Sequence, residues 1–140
     1  MLRSLQIKNF AIIEEIDITF SGGMTVLTGE TGAGKSILID ALSLVLGERG
    51  GASMIRDNAK RAEYTAEFDV ANNLEALEWL KEKSLDNDEE CILRRVITDD
   101  GKSKSFINDS TVNLRSLKSL GELLVDIHGQ HFHQLSLIHI

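Results

Sequence analysis

The sequence predicts an α/β fold opened by an antiparallel layer of strands, and three observations predict it. Apolar and polar residues alternate along much of the first 20 positions. A short run, Met24-Thr25-Val26-Leu27-Thr28, then passes at once into a glycine-rich loop and an apolar helical stretch. Beyond residue 60, alternating segments follow one another, separated by turn signals and helix caps.

The elements follow in order. Leu5 and Ile7 alternate with Ser4, Gln6 and Lys8, a half-buried strand. Ile12-Ile13, Ile16, Ile18 and Phe20 make a second strand, and Ser21-Gly22-Gly23 a turn. Residues 24–28 suit a strand buried on both faces. Residues 35–46 are expected to form a helix whose apolar residues surround nearly its whole circumference, so it is deeply buried, and Gly47 stops it. Tyr64, Ala66, Phe68 and Val70 alternate with Glu63, Thr65, Glu67 and Asp69, a strand with one wet face. Asn72 or Asn73 caps a helix carrying Leu74, Leu77 and Leu80. Two strands, residues 91–98 and 103–107, are joined by the hairpin signal Asp99-Asp100-Gly101. Asn113 caps a helix with Leu114, Leu117 and Leu120, and residues 123–127 read as another buried strand.

Composition bounds the class. At 140 residues the chain has the length of one domain with a real core. Its 42% hydrophobic and 26% charged residues are ordinary for a soluble protein. No apolar run approaches bilayer length, and residues 1–8 have no apolar signal core, so the expected location is cytoplasmic, with no membrane partner. The lone Cys91 excludes an internal disulfide and, beside Ile92 and Leu93, reads as a buried thiol. A net charge of -7 argues against a surface that coats polyanions. Basic residues do gather at Arg94, Arg95, Lys102, Lys104, Arg115 and Lys118; solvated strand and loop faces account for most of them.

The chemistry lies in Gly29-Glu30-Thr31-Gly32-Ala33-Gly34-Lys35-Ser36, a complete G-x-x-x-x-G-K-[ST] motif. The glycines let the backbone adopt angles closed to other residues and approach phosphates closely. Consecutive N–H groups then form an anion nest, and the following helix adds its positive end. Lys35 supplies an ammonium for the β- and γ-phosphates, and the Ser36 hydroxyl is a hard oxygen ligand for Mg²⁺. Such a match arises by chance in a chain of this length on the order of once in a few hundred. The strand before it and the helix after it sharpen it further. The reading is a P-loop NTPase that binds ATP with Mg²⁺ through residues 29–36.

A wider resemblance is carried by Leu5-Gln6-Ile7-Lys8-Asn9-Phe10-Ala11-Ile12-Ile13, by residues 20–36, by Ile39-Asp40-Ala41-Leu42-Ser43-Leu44-Val45-Leu46-Gly47, by Phe106-Ile107-Asn108, and by Leu120-Gly121-Glu122-Leu123-Leu124-Val125-Asp126-Ile127-His128-Gly129-Gln130-His131. Residues 1–134 closely resemble the RecN family of bacterial DNA-repair ATPases, relatives of the SMC proteins. The resemblance implies an N-terminal lobe of an ABC/SMC-type ATPase head, with a mixed sheet and an antiparallel β layer. A coiled coil and a C-terminal lobe would follow, and two heads would form a head-to-head homodimer around ATP in a DNA-repair cycle at the nucleoid. By position, Gln130 resembles the glutamine-loop residue that ligates Mg²⁺ and senses the γ-phosphate, and Arg56 resembles an arginine that approaches the phosphates. Asn58 stands where the pattern favours glycine. Asn9 and Phe10 match the opening motif near the adenine end, or else serve as turn and core residues.

The chain has no Leu-Ser-Gly-Gly-type signature and no apolar strand ending in Asp-Glu, so hydrolysis is expected to need a C-terminal half. Leu135-Ser136-Leu137-Ile138-His139-Ile140 resembles a translated adapter end, and residues 135–140 are read as a non-native tail. The irregular spacing of His128, His131, His133 and His139 is a poor zinc pattern. The alternative function is an ATPase subunit of a membrane transporter; Lys8-Asn9-Phe10 and residues 42–47 disfavour it.

Overall fold

Alternation along the chain becomes one antiparallel sheet with helices on a single face. The computed structural model of the protein describes residues 1–20, 24–26, 32–125 and 137–139. Strand β1 (Leu2–Phe10) sits between β2 (Ile13–Thr19) and β4 (Arg61–Asp69). The order continues through β5 (Glu90–Thr98), β6 (Ser103–Ile107) and β7 (Ser110–Val112). All the pairings in this six-stranded sheet are antiparallel. It is the antiparallel layer that the alternation predicts. A separate two-stranded pair joins β3 (Met24–Val26) to β8 (Leu137–His139).

Period-two alternation decides which face is buried. In β1, Leu5 and Ile7 point inward while Gln6 and Lys8 are exposed. Leu2 and Phe10 fall out of this phase, yet both are buried. The backbone resets the phase at each end. The register against β4 shifts between Leu2 and Ser4, and Asn9 takes a left-handed φ of 58°. Phe10 then packs edge-on against Tyr64, with ring centroids 5.4 Å apart, a contact worth about 1 kcal/mol beyond its burial. Ala62, Tyr64, Ala66 and Phe68 of β4 all face the same core. Cys91, buried as expected, has its thiol pushed up to about 12 by that burial.

Helix α1 (Gly32–Val45) packs on β4, β5 and β1. It begins three residues before the expected start, inside the glycine motif. Residues 41–47 are buried on every side, as the circumferential apolar pattern predicts. Helix α2 (Leu74–Glu82) is capped by Asn73, whose Oδ1 accepts from the Ala76 N–H at 3.1 Å. Helix α3 (Leu114–Leu124) is capped by Asn113, whose Oδ1 accepts from the Ser116 N–H at 2.8 Å. α3 packs on β6 and against α2. Asn73 also donates from Nδ2 to the Leu123 carbonyl at 2.8 Å, which ties the start of α2 to the end of α3.

One reading needs correction, and one strand had none. Leu123 and Leu124 end α3 instead of starting a strand, because Leu117, Leu120, Gly121 and Leu124 keep a helical stripe toward the core. Val125 is extended, and residues 126–127 lie outside the described residues. Strand β7 carries no apolar alternation and gives no sequence signal; it forms because the turn at Asn108 and Asp109, both at positive φ, folds it back on β6. No helix among the described residues is long and apolar enough to cross a membrane.

Candidate functional site

The candidate site is built around the start of α1. Gly29, Glu30 and Thr31 lie outside the described residues. Gly32, Ala33, Gly34, Lys35 and Ser36 form the first turn of α1, and their side chains lie outside the described part as well. The backbone alone is informative. The first four N–H groups of a helix have no intrahelical acceptor, and the helix dipole adds positive potential there. Half of the glycine motif thus occupies a helix N-terminus, the arrangement that holds an anion. By residue type, helix-start amides with a lysine and a serine hydroxyl are the donors a nucleoside triphosphate and its Mg²⁺ require.

Arg56 reaches the surface from a segment bound to the end of β1. Its N–H donates to the Asn9 carbonyl at 2.8 Å, and its carbonyl accepts from the Ala59 N–H at 3.0 Å. Asn58 lies in that turn at φ 69°, the left-handed conformation that glycine favours and that asparagine tolerates better than other residues. The departure from glycine therefore keeps the loop conformation. Asn9 has a turn role, and Phe10 is fully buried in the core beside Tyr64. Gln130, His128, His131 and His133 lie outside the described residues. Among the described residues no cluster of His, Cys, Asp or Glu is arranged to hold a metal.

The other end of α1 holds a residue that the sequence reading misplaced. Arg95 is 2% exposed, not solvated. It lies opposite Tyr64 across β4 and β5 and opposite Ser105 across β5 and β6. Its Nη1 donates to the Leu44 carbonyl at 2.7 Å and also to the Glu48 carbonyl. The Leu44 carbonyl, in the last turn of α1, also accepts from the Gly47 N–H at 3.2 Å, and Glu48 lies three residues past the helix end. Burial lowers the guanidinium's pKa and raises that of the Tyr64 hydroxyl. A signal was present: Cys91, Leu93, Arg95 and Ile97 share one phase, so Arg95 occupies an inward position. Arg94 follows the expected solvated reading, 3.3 Å from Glu63 and over the Phe106 ring at 5.1 Å.

Two glycines close this end. Gly47, at φ 108°, lies so near α3 that a Cβ would sit 2.6 Å from the Lys118 Cα. A Cβ on Gly121 would sit 2.5 Å from the Leu46 carbonyl oxygen. Only glycine fits at either place.

Comparison with known proteins agrees with this architecture. The chain is 55% identical over 134 residues to the DNA repair protein RecN of Vibrio cholerae, covering 96% of this chain and 24% of that protein. It is 51% identical over 140 residues to the DNA repair protein RecN of Haemophilus influenzae, covering 98% and 25%. The chain thus spans about a quarter of the length of these curated relatives. Among solved structures, an Smc head bound to the C-winged helix domain of ScpA superposes with a TM-score of 0.71 at 23% identity, over 88% of this chain and 40% of that one. The fold is that of the N-terminal lobe of an SMC-type head. A family model described as an AAA domain matches residues 4–139, and the chain belongs to that family.

Proposed function

We propose that this chain is the ATP-binding N-terminal lobe of a RecN-like ATPase that acts in DNA double-strand break repair and recombination. One observation carries the reading: a complete phosphate-loop motif whose second half forms the first turn of a buried helix. The similarity to RecN proteins over nearly the whole chain supports the repair context. Residues 29–36 would hold the phosphates, with Lys35 neutralising the β- and γ-phosphates and Ser36 giving an oxygen to Mg²⁺. Gln130 would be a second metal ligand that senses the γ-phosphate, and Arg56 would approach the phosphate charge. When bound, Mg²⁺·ATP supplies the phosphoanhydride whose cleavage drives the cycle. The chain's own part is to cradle, neutralise and orient it.

In this reading hydrolysis needs groups from a C-terminal lobe and from a second head in a head-to-head homodimer. DNA is the substrate of the assembly, in the bacterial cytoplasm at the nucleoid. Residues 1–134 are the lobe, and 135–140 an appended, non-native tail. The pairing of Leu137–His139 with β3 favours a second reading, a genuine strand. The encoding DNA discriminates the two, since an adapter sequence there marks the tail as non-native.

Titration with a fluorescent ATP analogue and Mg²⁺ tests the function. Saturable binding that Lys35→Ala weakens about tenfold or more, roughly 1.4 kcal/mol, is the expected result. No binding by folded protein, or binding indifferent to Lys35, overturns the reading. The chain alone is expected to show no ATP turnover; turnover abolished by Lys35→Ala would overturn that part.

A further inference from the structure

We propose that Arg95 is a positioning residue for the phosphate loop, acting through α1. The inference rests on the reading of residues 29–36 as a nucleotide site.

An arginine at an inward sheet position is costly. Its neighbours in phase are Leu93 and Ile97, both buried, and an apolar side chain there would cover the same core without desolvating a charge. What Arg95 does that an apolar residue cannot is hold backbone. The hydrogen bonds from Nη1 end on the carbonyl of Leu44, in the last turn of α1, and on that of Glu48, just past it. One acceptor is in the last turn of α1 and the other three residues past its end, so the guanidinium ties the helix end to the chain that leaves it. Sliding α1 along its axis, or turning it by one residue, about 100°, breaks the bond to Leu44.

The remaining freedom is closed from the side. Backbone of α3 lies against Gly47, and Leu46 lies against Gly121, with no room for a methyl group at either contact. The exit of α1 is therefore boxed between β5 and α3. The opposite end of the same helix, about 20 Å away at 1.5 Å per residue over 14 residues, is the phosphate-binding turn. A helix held by contacts with β1, β4 and β5 carries its register from one end to the other. Amides that cradle an anion lose affinity when displaced by a fraction of an ångström, because hydrogen bonds are steep in distance and angle. Arg95 sets where those amides stand.

The experiment titrates the full 140-residue chain with Mg²⁺ and a fluorescent ATP analogue, alongside urea unfolding of each variant. All titrations are made where the protein is folded. The variants are Lys35→Ala, Arg95→Met, Arg95→Lys and Leu80→Ala. Leu80 is buried in α2 and serves as a destabilised control away from the α1 exit. Arg95→Met should raise Kd by about tenfold in folded protein, and Arg95→Lys, which keeps a donor at the carbonyls, should bring it back to about threefold of wild type. Leu80→Ala should lose stability and keep the wild-type Kd. A role confined to stability would leave Kd unmoved in all folded variants, so a wild-type Kd in folded Arg95→Met overturns the proposal. So does an equal loss of affinity in Leu80→Ala. If Arg95→Met does not fold, Arg95→Lys decides, and a wild-type Kd there overturns it. Wild-type protein that binds no analogue, or binds it regardless of Lys35, brings down the nucleotide site and this inference together. Lys35-dependent binding that ignores Arg95 brings down only the positioning role.

Discussion

The two ends of α1 are made of different material. The entrance carries Gly32, Ala33 and Gly34, small residues that leave backbone amides open to a ligand. The exit carries Leu42, Leu44, Val45 and Leu46, all buried, and its carbonyls are taken up by Arg95 and by the loop that follows. In the proposed reading one end receives an anion, while the other is held by the fold. A helix serves as a lever for binding when its packing energy is concentrated away from the ligand, so that the binding turn need not be stabilised by burying its own side chains.

The largest effect expected on that contrast is loss of folding stability at the exit. Arg95→Met removes two charge-assisted hydrogen bonds to backbone carbonyls and should cost about 3 kcal/mol, read as a fall in the urea midpoint. Tyr64→Phe, next to it, sharpens the point. The Tyr64 hydroxyl is buried and has no hydrogen-bond partner among the described residues, so its removal should change stability by less than about 0.5 kcal/mol or raise it. A large loss in Tyr64→Phe would break the assignment of the clamp to Arg95. Gly121→Ala should cost about 2 kcal/mol by overpacking against the Leu46 carbonyl.

The entrance should behave the opposite way. Lys35→Ala should shift nucleotide binding by about 1.4 kcal/mol or more and leave the urea midpoint where it is. A comparable fall in stability would erase the distinction between the two ends. Asn73→Ala should cost about 1 kcal/mol, since it removes both the α2 cap and the tie to Leu123. It should leave Kd unchanged.

The smallest effect lies far from α1 and serves as a baseline. Asp69 accepts from the Ala71 N–H at 2.9 Å and from Arg3 at 2.8 Å, and these bonds, the backbone one first, hold its carboxyl below the ordinary 3.8. A folded-state pKa below the unfolded one stabilises the fold above the unfolded value and loses that contribution as pH falls through the folded value. The urea midpoints of wild type and Asp69→Asn should differ by a constant amount above pH about 5 and converge in more acid solution. A gap that persists in acid would show that the charge of the carboxylate, held by Ala71 and Arg3, is not what Asp69 contributes.

Much of this was legible from residues alone. The phosphate-loop motif is local, since its glycines, lysine and serine are eight consecutive positions whose chemistry needs no partner from elsewhere. The strand and helix identities were legible because period-two and helical periods are properties of a segment: β4, the β5–β6 hairpin at Gly101, and the caps at Asn73 and Asn113 form where the pattern puts them. What the tertiary structure decided were contacts between distant positions. Whether Leu123 and Leu124 end a helix or begin a strand depends on α3 reaching Leu46 through Gly121. Whether Arg95 is solvated or buried depends on which helix end lies over it. A basic residue is drawn to water by its charge, and the backbone carbonyls at the exit of α1, the Leu44 one 51 positions away along the chain, offset that preference by accepting its hydrogen bonds.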